Sequence, residues 1–178
     1  MEPIDYAVTK GMENDRKQAE HYLLNYEAEC AFYENEKHDA LYGSPWVESV
    51  GKSNLSGKPT ETKAITSAQY DMDSTVYPWL KAVDMALRSF GERKRIFITV
   101  RKEAEALGRE GKPMKGRRGW VVYTQRRYSE EIQRRFINDD GWLGERTIKA
   151  WWRQVLDCVV MMYLRYELGK NKKGQHFN

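Results

Sequence analysis

Residues 128–154 read YSEEIQRRFINDDGWLGERTIKAWWRQ, and the periodicity on either side of their central turn decides the fold. Before the turn, Ser129 is placed to cap a short helix whose first residues, Glu130 and Glu131, suit the positive end of its dipole. Ile132 and Phe136 are its inward residues. Asn138-Asp139-Asp140-Gly141 is a strong turn signal. A longer helix is predicted over about 144–168, starting with Glu145-Arg146-Thr147-Ile148. At about 100° per residue, Ile148, Trp152, Val155, Val159, Met162 and Tyr166 share one side, while Arg146, Lys149, Ala150 and Arg153 lie on the other. Two helices joined by a turn, the second carrying cations outward, is the helix-turn-helix arrangement.

The outward patch has the chemistry of a recognition helix. Arg and Lys reach guanine edges and phosphates, and a small residue such as Ala150 allows close approach to the groove floor. A solvated, salt-bridged face would use similar residues. Asp157 is the one acid that the spacing places within reach, so pairing is not expected to account for three cations. Farther along, Val160, Met161 and Leu164 point outward as well, so this half is expected to pack against the N-terminal region or another subunit. Trp151 and Trp152 read as core anchors.

The rest of the chain is also helical in pattern, which makes the protein all-α. Over 14–42, Ala19, Leu23, Tyr26, Cys30, Tyr33, Lys37 and Ala40 alternate by four and three residues, near a heptad seam. Glu20, Glu27, Glu29, Glu34 and Glu36 make the other face acidic. Residues 1–42 are therefore expected to form an acidic N-terminal helix, a possible coiled coil open to self-association. Residues 43–59 break the pattern and read as a linker, in which Trp46 is expected to dock somewhere. A helical domain is predicted over 60–168, with the helix-turn-helix at about 129–153 and a basic tail over 169–178. Within it, Ala64, Ile65, Ala68 and Met72 form one apolar face. Trp79, Val83, Ala86, Leu87 and Phe90 form a second, after Pro78. A third helix turns Ile96, Phe97, Val100, Ala104 and Leu107 inward and Arg93, Arg95, Arg101 and Lys102 outward. Residues 108–119 are a basic, Gly-rich loop, and a further helical segment starts at Trp120.

The chain has 178 residues, 40% of them apolar and 31% charged, which suits one domain with a polar surface. Charge is unevenly spread. Residues 1–91 hold nine Lys and Arg against fifteen Asp and Glu, a net of −6, and residues 92–178 hold 21 against 11, a net of +10. A C-terminal half of this kind suits a polyanion, most often nucleic acid. No apolar run approaches the length that spans a bilayer, the first residues lack the pattern of a signal peptide, and two unpaired cysteines suggest no disulfide framework. The expected setting is cytoplasmic, with no membrane partner.

Motifs for catalysis are missing from this reading. The stretch 51–58 (GKSNLSGK) has a phosphate-loop flavour but one residue too many between its glycines, and Pro59 stands where Ser or Thr should meet magnesium. His21, Cys30 and His38 lack a paired metal-ligand spacing. Asp139 and Asp140 are better explained by a turn than by a nuclease centre. No enzyme activity, cofactor or metal is expected.

Four pieces of the chain carry a family resemblance: PTETKAI, YPWLKAVDMALRSFGERKRIFI, RRGWVVYTQRRYSEEIQRRF and WLGERTIKAWWRQVL. Together they make the segment from about 60 to 163 similar to phage late-gene transcriptional activators of the RinA/ArpU type, whose C-terminal parts look like region 4 of bacterial sigma factors. The resemblance implies a sequence-specific regulator of double-stranded DNA in the host bacterial cell, with host RNA polymerase as a candidate partner. Carried over by motif, base contacts fall on Glu145, Arg146, Thr147, Lys149, Ala150 and Arg153. Phosphate contacts fall on Arg117, Arg118, Arg126, Arg127, Arg134 and Arg135. Two other functions fit the same composition. One is the small subunit of a phage terminase, which binds packaging-site DNA, and the other is a helical adaptor whose basic face meets an acidic protein.

Overall fold

A computed structural model describes residues 3–42, 59–110, 119–137 and 139–174. Among them are seven helices and no strand: α1 (Pro3–Leu24), α2 (Tyr26–Tyr42), α3 (Pro59–Asp73), α4 (Tyr77–Ser89), α5 (Glu92–Arg109), α6 (Gly119–Arg135) and α7 (Glu145–Gly174). The all-α expectation holds. The linker over 43–58 with Trp46 and most of the basic loop, including Arg117 and Arg118, lie outside the described residues.

The core is built along α4 and α7, which pack most extensively, with α5 and α6 forming a second pair beside them. Before α4, the Ser74 hydroxyl accepts the N–H groups of Val76 and Tyr77, both at 3.1 Å. Pro78 falls in the first turn, where its missing N–H leaves no ladder bond unmade. Trp79 is then held between two rings, Tyr22 of α1 at 5.9 Å and Tyr163 of α7 at 3.9 Å, both nearly parallel to it. Phe97 of α5 meets Tyr128 of α6 and Trp151 and Trp152 of α7 edge-on. Trp152 is buried and Trp151 half-buried, as core anchors should be.

The N-terminal segment departs from the single helix expected over 14–42. The first helix starts at Pro3 and ends at Leu24, and a second begins at Tyr26. Asn25 marks the break. Its side-chain amide donates to the His21 carbonyl at 2.8 Å, the oxygen its own N–H also uses, and Arg109 reaches its Oδ1 at 2.7 Å. A side chain that competes for a helix carbonyl in this way disturbs the regular ladder. The heptad-like seam faces the protein's own interior: Ala19, Leu23 and Tyr33 are buried. Lys37, out of place in an apolar seam, pairs with Asp71 of α3 at 2.6 Å, and Tyr33 donates to the same carboxylate at 2.6 Å. Residues of α1 thus belong to the same core as α4 and α7.

Two other expectations fail. Ala64, Ile65, Ala68 and Met72 of α3 all face solvent, Ile65 at 64% and Met72 at 62% exposure. This helix docks on α2 by Tyr70 and Asp71 instead, because that polar triad with Tyr33 and Lys37 fixes its rotation. Arg101, expected outward, is only 5% exposed. It pairs with Glu105 one turn on at 3.0 Å and lies against the rings of Trp120 and Trp152, contacts that need side chains from other elements and leave no local trace. The last helix also continues to Gly174, beyond the end predicted for it. Among the described residues, no helix is long and apolar enough to cross a membrane.

Candidate nucleic-acid interface

The chain from α6 to α7 is one assembly, fixed by the turn between them. Helix α6 runs unbroken through Ser129, so the short helix expected to begin there does not exist separately. Ser129 tethers the turn instead, its hydroxyl donating to the Asp140 carbonyl. Gln133 donates to the same carbonyl at 3.2 Å, and Gln125 donates to the Leu143 carbonyl at 2.6 Å. Three polar side chains, four residues apart on one face of α6, therefore hold the incoming turn.

Inside the turn, Asp139 accepts the Gly141 N–H at 2.9 Å and Asp140 accepts the Trp142 N–H at 3.0 Å, two turns of the kind Asp favours. Arg93 of α5 pairs with the other Asp139 oxygen at 2.6 Å while lying 5.1 Å over the Phe136 ring. Gly141 adopts φ +62°, and a Cβ there would meet Ile132 Cβ at 2.6 Å. Only glycine suits both the backbone and the space. The Gly144 carbonyl then accepts the Ile148 N–H at 3.0 Å, and α7 begins.

Helix α7 separates its two sides as the periodicity predicted. Ile148, Trp152 and Val155 are buried, whereas Arg146, Thr147, Lys149, Ala150 and Arg153 are exposed. Arg146, Ala150 and Arg153 lie opposite Ile148, with Thr147 and Lys149 at the two edges of that face. Pairing on the face differs from the expectation. Asp157, taken as the one acid within reach, is held by Arg16 of α1 at 2.6 Å. Lys149 is instead paired with Glu145 one turn back, at 2.6 Å. The i, i+4 order of Glu before Lys is a favourable helix pair that the sequence reading overlooked. Among the described residues, Arg146 and Arg153 form no ion pair.

The cations of α6 are more constrained than their exposure on a helix suggested. Glu131, 13% exposed, gathers Arg127 and Arg134 at 3.0 Å and Arg135 at 3.7 Å. Arg127 also meets Glu103 of α5 at 3.5 Å and Glu130 at 3.3 Å, so it ties α6 to α5. Arg127, expected as a phosphate contact, is a cation already held by three carboxylates. Arg126 is the most open of the group, 85% exposed and, among the described residues, paired only within its helix, to Glu130 at 3.1 Å. Hydrogen bonds from Arg126 and Arg127 hold the Glu130 carboxyl below the ordinary carboxylate range. Surface pairs of this type contribute little each and exchange readily for phosphate contacts.

Sequence reasoning missed the positioning residues Gln125, Gln133 and Arg93. Each acts on the turn, and only the four-residue spacing of Gln125, Ser129 and Gln133 could have pointed to them. It also missed Trp142, which is 65% exposed just before α7, beside a shallow groove of about 370 Å³ lined by Val122, Gln125, Arg126 and Gln133. Among the described residues, no group of His, Cys, Asp and Glu is arranged to hold a metal ion. No family model, curated protein or solved structure matches this chain.

Proposed function

We propose that α6, the turn and α7 act as a helix-turn-helix in a sequence-specific regulator of double-stranded DNA. The observation that carries this reading is the outer face at the start of α7. Two arginines without an ion-pair partner among the described residues, Arg146 and Arg153, flank Ala150 on a helix whose other side is buried in the core. Such a face can enter a major groove, with Arg146, Thr147, Lys149, Ala150 and Arg153 at base edges. Arg126, Arg134 and Arg135 supply phosphate contacts at its flank, together with Arg117 and Arg118 of the basic loop. The turn, bolted to α6 by Gln125, Ser129 and Gln133, presents α7 at a fixed angle.

On this reading the chain is a phage-type activator of late genes acting in the host cytoplasm, non-enzymatic and without a cofactor. The acidic outer residues of α2, Glu34 and Glu36, stay off the DNA and are available to host RNA polymerase. The test is selection of bound fragments from sheared genomic DNA with purified protein at about 150 mM salt, where screening suppresses purely electrostatic capture. One enriched short site upstream of a gene block supports the activator. Enrichment beside packaging genes replaces it with a terminase small subunit, and no enrichment at any site overturns DNA recognition in favour of a protein-binding adaptor.

A further inference from the structure

Trp142 stands in solvent at 65% exposure and takes no part in the core, an unusual place for a residue that proteins bury on average. Its backbone is nevertheless fixed on both sides. The Trp142 N–H donates to the Asp140 carboxylate at 3.0 Å, and the Asp140 carbonyl accepts Ser129 and Gln133. On the other side the Leu143 carbonyl accepts Gln125 at 2.6 Å. An exposed ring on a backbone already held leaves little ordering cost for binding to meet.

Across the shallow groove of about 370 Å³ from this ring lies a stripe of α6. Val122, 62% exposed, gives it an apolar surface, and Arg126 brings a guanidinium one turn on. Glu130 borders the same groove, and it keeps Arg127 at 3.3 Å when another anion takes Arg126. The groove also adjoins the cationic face of α7. Trp142 precedes Arg146 by about one turn of chain, and Trp151, on the same edge of α7 as Thr147, meets Tyr128 of α6 at 6.1 Å. The Thr147 edge of that face therefore lies towards α6.

We infer that this groove holds one deoxyribose of a DNA strand, its apolar face on the Trp142 indole and Val122 and its phosphate on Arg126. The inference rests on the DNA-binding reading and adds to it a strand contact outside the recognition face. A backbone unit joins an apolar sugar face to an anion, the two characters that the ring and the guanidinium present side by side. A free small molecule is usually enclosed on most of its surface, whereas a shallow groove suits one unit of a longer chain. A base is the poorer occupant, because in a duplex it must first leave its stack.

Hydroxyl-radical footprinting reads the exposure of each deoxyribose, so it tests the contact on the duplex that carries the selected site. The full chain should protect one sugar that Trp142→Ala leaves open, while the rest of the footprint stands and Tm is unchanged. Affinity should fall about fivefold on selected and random duplexes alike, since a sugar carries no sequence information. The salt slope should not change, because no charge is removed, and Trp142→Phe should keep most of the affinity. A Trp142→Ala footprint identical to that of the wild type overturns the inference alone and leaves the ring to a protein partner. Tighter binding of the matching single strand than of the duplex, lost in Trp142→Ala, puts a base on the ring and overturns the sugar assignment. A wild-type chain that protects no duplex overturns the DNA-binding reading, and this contact with it.

Discussion

Arg101 and Trp152 share one carboxylate. The Arg101 guanidinium lies 5.1 Å from the Trp152 ring, and both reach Glu20 of α1, the indole N–H at 2.9 Å and the guanidinium at 3.5 Å. Trp120 of α6 covers Arg101 at 4.6 Å. Four helices, α1, α5, α6 and α7, therefore meet at a single buried cation, and the position of the start of α7 depends on it.

Replacing Arg101 by Ala should lower stability by about 2–3 kcal/mol, below the usual range for breaking a buried pair because Glu20 and Glu105 are each about one-third exposed. Arg101→Lys should recover only part, since an ammonium cannot lie flat between two indoles. Urea unfolding followed by tryptophan emission reads both. Equal stability of wild type and Arg101→Ala would show that the sandwich contributes nothing.

Gly141→Ala should cost about 2–4 kcal/mol, from backbone strain at φ +62° together with the clash on Ile132. Gly144→Ala is the comparison: a Cβ there meets nothing within 4 Å, and only the poorer N-cap of α7 should cost, about 1 kcal/mol or less. Thermal unfolding of the two variants side by side decides it, with the larger drop in Tm expected for Gly141→Ala.

On the selected DNA site, Arg146→Ala and Arg153→Ala should each weaken binding by about 1–3 kcal/mol and relax the sequence preference. Lys149→Ala should cost less, because Glu145 already holds the ammonium at 2.6 Å. Arg126→Ala should weaken binding to all sequences alike and reduce the salt slope by about one unit. Binding isotherms on specific and random duplexes at several salt concentrations separate these patterns; identical behaviour of all four variants would displace the recognition face from α7.

Alkali should unfold the protein through its tyrosines. Burial, the leading cause in each case, pushes Tyr22, Tyr26, Tyr33, Tyr128 and Tyr163 above the ordinary phenol range, and at Tyr33 the hydrogen bond to Asp71 adds to it. A raised folded-state value means that the unfolded chain loses these protons first. Stability is thus fully present below about pH 10, the unfolded value, and falls as pH rises towards the folded ones. The urea midpoint measured from about pH 8 to 11.5, with tyrosinate absorbance followed in parallel, should show a steep loss above about pH 10; a flat profile contradicts it.

How far the sequence reached depended on whether the information was local. The two-sided division of α7 was legible because Ile148, Trp152 and Val155 recur at helical spacing, and burial follows that spacing directly. The same rule failed on α3. There the stripe of Ile65, Ala68 and Met72 was read as buried, yet the rotation of so short a helix was decided by the hydrogen bond and ion pair that Asp71 makes with Tyr33 and Lys37. Lys37 looked like a flaw in an apolar seam until its partner, 34 residues away, was in place.

By itself the sequence determined that the chain is helical, that the outer face at the start of α7 is cationic and that a turn falls at residues 138–141. Helical period and turn chemistry act over a few residues, so they can be read from neighbours. Only the tertiary structure decided that Arg101 is buried, that Arg127 reaches Glu103 of α5 and that, among the described residues, Arg146 and Arg153 keep their charge unpaired. A cation's surroundings are set by side chains from other helices, and their approach is fixed by packing around Trp79 and Phe97 that no local pattern encodes.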